Sequence, residues 1–297
     1  MKILLHILTV LCFTNATAQF KYPYTTNAKK VLDSKLVVAL RSGDTPEVAA
    51  ANALLQETMT AHWKATPILF MKPAQIDSLQ QLHKDGYAYL YQHPSNTSIG
   101  SFRKETGLIS RTYTDFTFLY YKFSLKVPVD GEERLVTSIG FINEDMVATD
   151  YVFLSTQLSR LLNDSAAGKK RKEYFNIKNN IAQLKTTTVL FPKSMVKEKD
   201  WEKIAKYYKY NYKLVSDDEY TQAVLNREEG KAYPQIVWSV QHTLFMWLVV
   251  DCATGQSLSI NSFGYGYTSM STTKSKIRAK HLKYTASKLA QKINSRY

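Results

Sequence analysis

Beyond His6 the sequence holds five histidines, His62, His83, His93, His242 and His281, the side chains readiest to bind a metal ion. A zinc or related site draws on such residues at i, i+4 on one helix, or in short runs with cysteine or carboxylate. No two of the five stand in that relation. His62 and His281 fall on otherwise apolar helix faces, where a histidine at the edge of a core is the ordinary outcome. The expectation is therefore no metal and no cofactor. Ser194-Met-Val-Lys197 has the Ser-x-x-Lys spacing that lets a lysine activate a serine, but the companion motifs are missing, and no Gly-x-Ser-x-Gly elbow occurs. Gly264-Tyr-Gly266 supplies two of the glycines of a dinucleotide fingerprint, and there is no phosphate-binding P-loop.

Acidic pairs are the remaining source of chemistry. Glu132-Glu133, Glu144-Asp145, Asp217-Asp218-Glu219 and Glu228-Glu229 all fall at turns or helix ends, where solvation and capping account for them. A glycoside-cleaving pair meets only in space. A hydrolase acting on an envelope polymer or glycan, with carboxylates converging between the two halves of the chain, therefore stands as the second functional reading.

Two surface features rise above this background. From Lys274 to Arg296 the basic residues Lys274, Lys276, Arg278, Lys280, Lys283, Lys288, Lys292 and Arg296 occur without a single acid, opposite an apolar stripe of Ile277, Leu282, Ala286, Leu289 and Ile293. Lys197, Lys199, Lys203, Lys206 and Lys209 form a second basic series, partly neutralised by Glu198, Asp200 and Glu202. Phe263, Tyr265 and Tyr267 interleave with glycines in a polar loop and make a candidate contact surface. The first six cations of the terminal series, Lys274, Lys276, Arg278, Lys280, Lys283 and Lys288, are the candidate contacts to an anionic surface.

Several elements must position these groups. Lys35–Leu40 is an apolar run closed by Gly43, as in a buried strand. A helix follows, capped by Asp44 or Thr45, with Pro46 in its first turn. Residues 67–71 form a strand, Pro73 opens a helix that Gly86 closes, and 87–91 form a strand. A polar stretch covers 93–112. Residues 115–127 and 134–142 alternate around Asp130-Gly131, a hairpin signal. Val147, Tyr151, Leu154, Leu158 and Leu161 share one helix face.

The second half runs in the same order. Its strands are 187–191, 212–215, 235–240, 244–251 and 256–263. A helix buries Trp201, Ile204, Ala205 and Tyr208, another is capped at Asp217 or Asp218, and a last one spans about 274–294. The expected fold class is α/β with mixed sheets, as two tandem β-α-β-α-β-β-β-α domains at 19–163 and 181–297, joined by a basic polar linker at 164–180.

This order, with Asp251-Cys-Ala-Thr-Gly255 as a short turn between two strands and Asp130-Gly131 as its counterpart, resembles the N-terminal domain of the periplasmic TolB family. Those are small α/β modules related in shape to anticodon-binding domains. The resemblance covers both halves, while the propeller that follows in TolB is lacking. It implies a role in envelope assembly or binding rather than catalysis.

Lys2, the apolar run Ile3–Phe13 and Ala16-Thr17-Ala18 make the three parts of a secretory signal peptide, 1–18. Cys12 has Leu11 before it, so no lipobox forms, and cleavage leaves Cys252 as the sole cysteine. The apolar run Thr243–Val250 is too short to span a bilayer. Residues 19–163 carry 15 Lys and Arg against 14 Asp and Glu, and 164–297 carry 23 against 11. A half with net charge +12 attracts polyanions. Outside the cytoplasm these are lipid headgroups, lipopolysaccharide or acidic polymers, and nucleic acid is disfavoured. The expectation is a soluble or peripheral, periplasmic or extracellular, non-catalytic envelope protein whose basic half binds a protein partner, an anionic polymer or a lipid headgroup.

Overall fold

An apolar run without alternation, such as Leu36–Ala39, is satisfied only by burial on both faces. As strand β1 (Lys35–Ala39) it obtains this: Leu36 and Val38 enter the main core, and Val37 and Ala39 a smaller one on the opposite face. The computed structural model describes residues 22–82, 85–105, 108–141, 146–174, 180, 182–239, 244–262, 277 and 279–282. The leader, 1–18, lies outside them. Helix α1 (Thr25–Leu32), absent from the sequence expectation, precedes β1. Thr45 accepts a hydrogen bond from the Val48 N–H and so caps α2 (Pro46–His62), with Pro46 in its first turn. Strand β2 (Ile68–Met71), helix α3 (Pro73–Leu82) and strands β3 (Tyr87–Glu105), β4 (Leu108–Val129) and β5 (Glu132–Phe141) follow. Strand β1 lies between β2 and β3, parallel to both, and β3–β4 and β4–β5 are antiparallel. Asp130 and Gly131 turn between β4 and β5 with φ of 55° and 82°, the left-handed values a two-residue hairpin needs.

Within the polar stretch expected at 93–112, residues 93–105 and 108–112 are instead strand. Strands β3 and β4 stay paired from Tyr89↔Lys126 to Glu105↔Leu108, with register shifts at Ile99/Gly100 and Arg103/Lys104. Strand β1 pairs with β3 no further than Leu90, and β5 reaches β4 only at Tyr121. Beyond those points β3 and β4 form a two-stranded ribbon about 35 Å long at the usual rise per residue. The Ser, Thr and Asn content of 95–101 suggests a loop by composition, but a distant partner strand overrides local propensity.

Helix α4 (Ala148–Ala166) closes the first half, and the short helix α5 (Arg171–Tyr174) lies in the segment expected as linker. A 3-10 turn (Ala182–Lys185), β6 (Thr188–Pro192), a second 3-10 turn (Glu198–Lys203), α6 (Ile204–Tyr207), β7 (Tyr212–Val215), α7 (Asp217–Leu225), β8 (Lys231–Ser239), β9 (Leu244–Asp251), β10 (Ser257–Ser262) and α8 (Ala279–Leu282) complete the described chain. Ser216, rather than Asp217 or Asp218, caps α7 by accepting from the Glu219 N–H at 3.1 Å.

The strand order β7-β6-β8-β9-β10 of the second half has the same parallel and antiparallel senses as β2-β1-β3-β4-β5 of the first. One bridge, Gly140↔Trp238, joins them into a single ten-stranded mixed sheet. In each half the first crossover helix and the closing helix share one face, α2 with α4 and α6 with α8. The second crossover helix, α3 or α7, takes the other face.

The face of the first half that carries α2 and α4 packs on the face of the second half that carries α7. Residues 149–158 of α4 are accordingly buried without a break, as in a helix enclosed on all sides. Helices α1 and α2 meet α4 from the first half, and α7 meets it from the second. Leu154, Leu158 and Phe153 therefore share one core with Tyr220, Val224, Val237 and Leu248. No helix among the described residues is long and apolar enough to cross a membrane.

Candidate functional site

The segment that carries the series Lys197–Lys209 packs, on the outer face of the second half, against Ile277 and helix α8. Ile277 pairs with Val196: its N–H donates to Met195 O at 2.7 Å, and the Lys197 N–H donates to Ile277 O at 3.3 Å. The carboxylate of Asp200 accepts from the Ala279 N–H at 3.3 Å, which ties it to the first turn of α8. Ile277 and Leu282 then enter the same core as Ile204, Tyr208, Trp238 and Trp247. The segment 196–207 is thus the seat of α8, whose backbone carries Lys280. Of the other predicted contacts, Lys274, Lys276, Arg278, Lys283 and Lys288 lie outside the described residues, as do Phe263, Tyr265 and Tyr267.

Lys193, Lys199, Lys203, Lys206 and Lys209 are exposed around this seat, and none of them makes an ion pair among the described residues. Lys193 stands 5.5 Å from the centre of the Trp201 ring and Lys206 5.6 Å from that of Tyr207, so the cations lie over aromatic faces. Asp200, counted in the sequence among the acids that dilute this series, is buried beneath it. The expected helix with Trp201, Ile204, Ala205 and Tyr208 inward is shortened: Ala205 is exposed, and the chain turns extended at Tyr208. An aromatic cluster accounts for the break. Tyr208 packs edge-on against Phe191 at 5.5 Å, Tyr210 at 5.5 Å and Tyr212 at 6.0 Å, which helix geometry through 212 would prevent.

Several of the candidates for catalysis are occupied elsewhere. The Ser194 hydroxyl donates to Asp217 Oδ1 at 2.6 Å, at the start of α7. Glu219 pairs with Lys213 at 2.6 Å, and Glu228 pairs with Lys231. Glu133 accepts from Tyr91, Gln80 and Lys126, which fastens α3 across the sheet. Glu144-Asp145, His83, His242 and Gly264–Gly266 lie outside the described residues. His62 is half-buried, and burial together with nearby Arg227 and Lys64 holds its pKa below the usual histidine value; burial also depresses His93. Among the described residues no group of three metal-binding side chains forms. Cys252 is buried, and burial with nearby Asp251 and Glu228 pushes its thiol up to about 12, so it stays protonated at neutral pH.

Two polar clusters had no signal in the sequence pattern. One lies inside the shared core, where Asp150 accepts from Gln235 Nε2 at 2.8 Å and from the Val147 N–H at 3.2 Å. Tyr220 donates to Pro234 O beside it at 3.1 Å. The other surrounds Arg41 at the end of β1. The only hint of it was a cation placed directly after an apolar run.

The turn Asp251–Gly255 is packed rather than presented. Asp251 Oδ1 accepts from the N–H and hydroxyl of Thr254, and Gln157 of α4 donates to Gly255 O at 2.6 Å. Compared with known proteins, the chain matches no family model, and no curated protein or solved structure is similar to it.

Proposed function

We propose that this is an exported, non-catalytic envelope protein whose second half docks onto an anionic lipid or polymer surface through the face where α8 meets the segment 193–209. The observation that carries the reading is the seating of α8 on that lysine-bearing segment, with Asp200 drawn inside. The exposed lysines of 193–209 thereby stand beside Ile277 and α8, which belong to the lysine-rich terminal stretch of the sequence some seventy residues on, and cations gathered on one side add their fields. The net charge of +12 on residues 164–297 and the resemblance of the element order to TolB-type modules point the same way. The first half, close to neutral, serves as the body against which α4 is held.

Cations near an anionic membrane contribute about 1 kcal/mol each, attenuated by salt. Changing Lys199, Lys203, Lys206 and Lys209 together to Gln should lower binding to phosphatidylglycerol-containing vesicles by at least about tenfold at low ionic strength. Co-sedimentation of the full chain at 20 to 300 mM salt checks it. Binding that is absent at low salt, or equal in the variant, would sink the proposal.

A further inference from the structure

The end of β1 holds an arginine that several elements cooperate to fix. The side chain of Asn52, on α2, accepts from the Arg41 N–H at 2.8 Å and donates to Arg41 O at 3.0 Å, so one amide clamps the arginine's backbone as a neighbouring strand would. Gln92 of β3 donates to Ala39 O at 3.0 Å and accepts from Arg41 Nε at 3.4 Å. The guanidinium lies over the ring of Tyr121 of β4, 4.4 Å from its centre. Tyr151 of α4, fully buried, stands against it. Burial lifts that phenol to about 12, the guanidinium acting in the opposite sense, and it remains an O–H donor at neutral pH.

Gln92 accepts from Nε and the Tyr151 phenol hydrogen-bonds the guanidinium, so what this arrangement lacks is an acceptor for Nη2. Arg41 Nη2 is buried and has no hydrogen-bond partner, and Arg41 makes no ion pair among the described residues. A guanidinium presents five N–H donors in a planar fork suited to carboxylate and phosphate, and leaving a buried charged donor unmet is costly. Nη2 itself is buried, but the residue as a whole is only half-buried, and Ser42, Gly43 and Asp44 beside it are exposed. It also sits at the carboxyl ends of the parallel strands β1 and β2, with the amino end of the 17-residue helix α2 adjoining. That is where open α/β sheets receive ligands and where the helix field favours anions.

We infer that Arg41, held by Asn52, Gln92 and Tyr121, is the anchor of a binding site for an oxyanion group, carboxylate or phosphate, carried by a small ligand. This site is separate from the basic face of the second half and does not depend on it. A fork fixed at its backbone, its Nε and its ring face loses little freedom on binding, which is the condition under which one bidentate contact gives measurable affinity.

Side-chain Nε–H spectra of the arginine-labelled full chain test it, with the Arg41 signal identified by its loss in Arg41→Lys or Arg41→Met. Inorganic phosphate and sodium acetate are titrated separately at constant ionic strength, with sodium chloride as reference. The Arg41 signal should shift saturably with at least one of the two anions, phosphate alone marking a phosphoryl ligand and acetate alone a carboxylate. The shift should persist when Lys199, Lys203, Lys206 and Lys209 are Gln. Arg41→Lys, which keeps the charge and loses the fork, should leave the chain with about tenfold weaker affinity for that anion, read from the backbone amides of residues 41–45. An Arg41 signal unmoved by both anions, or anion effects confined to the second half, would overturn the inference.

Discussion

Replacing Gly255 by alanine should destabilise the protein by about 3 to 5 kcal/mol, whereas the same change at Gly230 should cost only about 1 to 2 kcal/mol. Both glycines have φ of +69°, so both replacements incur the left-handed strain of an L residue. A Cβ at Gly230 meets nothing within 4 Å. At Gly255 it would lie 2.7 Å from the Cβ of Thr156 on α4, an atom that no rotamer change can move. Relief requires the β9–β10 turn to lift away from the helix, which would also break the bond from Gln157 to Gly255 O. Denaturant titration of the two variants reads the difference. Equal losses would mean that the turn does not bear on α4.

Phe153→Ala should cost about 3 to 5 kcal/mol, the range for emptying a large aromatic side chain from a core. Phe153 is fully buried and meets Phe141 of β5 edge-on at 6.1 Å. Helix α4 belongs to both halves, so the loss should appear in both at once. Followed in one sample through backbone amide signals assigned to each half, the denaturation midpoints of the two halves should coincide in the wild type and move together on Phe153→Ala. A second half that retains its midpoint while the first unfolds would contradict a shared core.

The legible parts of the fold were those decided locally. The cap and proline opening α2, the apolar run of β1, the Asp130-Gly131 turn and the one-sided periodicity of α4 each state their structure within a few residues. The β3–β4 ribbon was not legible, because residues 95–101 become strand only by pairing with 113–120. The short α6 was hidden for a related reason: Tyr208 faces Phe191 and Tyr212 across the sheet edge, and that packing outweighs a helical spacing of Ile204 and Tyr208.

At the basic face the sequence showed the cations but not the seating of 277–282 on the segment 196–207, which begins at one bridge, Val196↔Ile277. It also counted Asp200 as a surface charge, although the side chain is turned inward toward α8. Arg41 left almost no trace, since its clamp is made by Asn52, eleven residues on, and Gln92, fifty-one residues on.

The direct test of the docking face is amide hydrogen exchange on the full chain, free and bound to phosphatidylglycerol-containing vesicles. Slowed exchange at 193–209 and at 277–282, with residues 25–82 unchanged, is the predicted pattern. Protection confined to the first half, or unchanged exchange at 193–209 under conditions where the protein sediments with the vesicles, would contradict it.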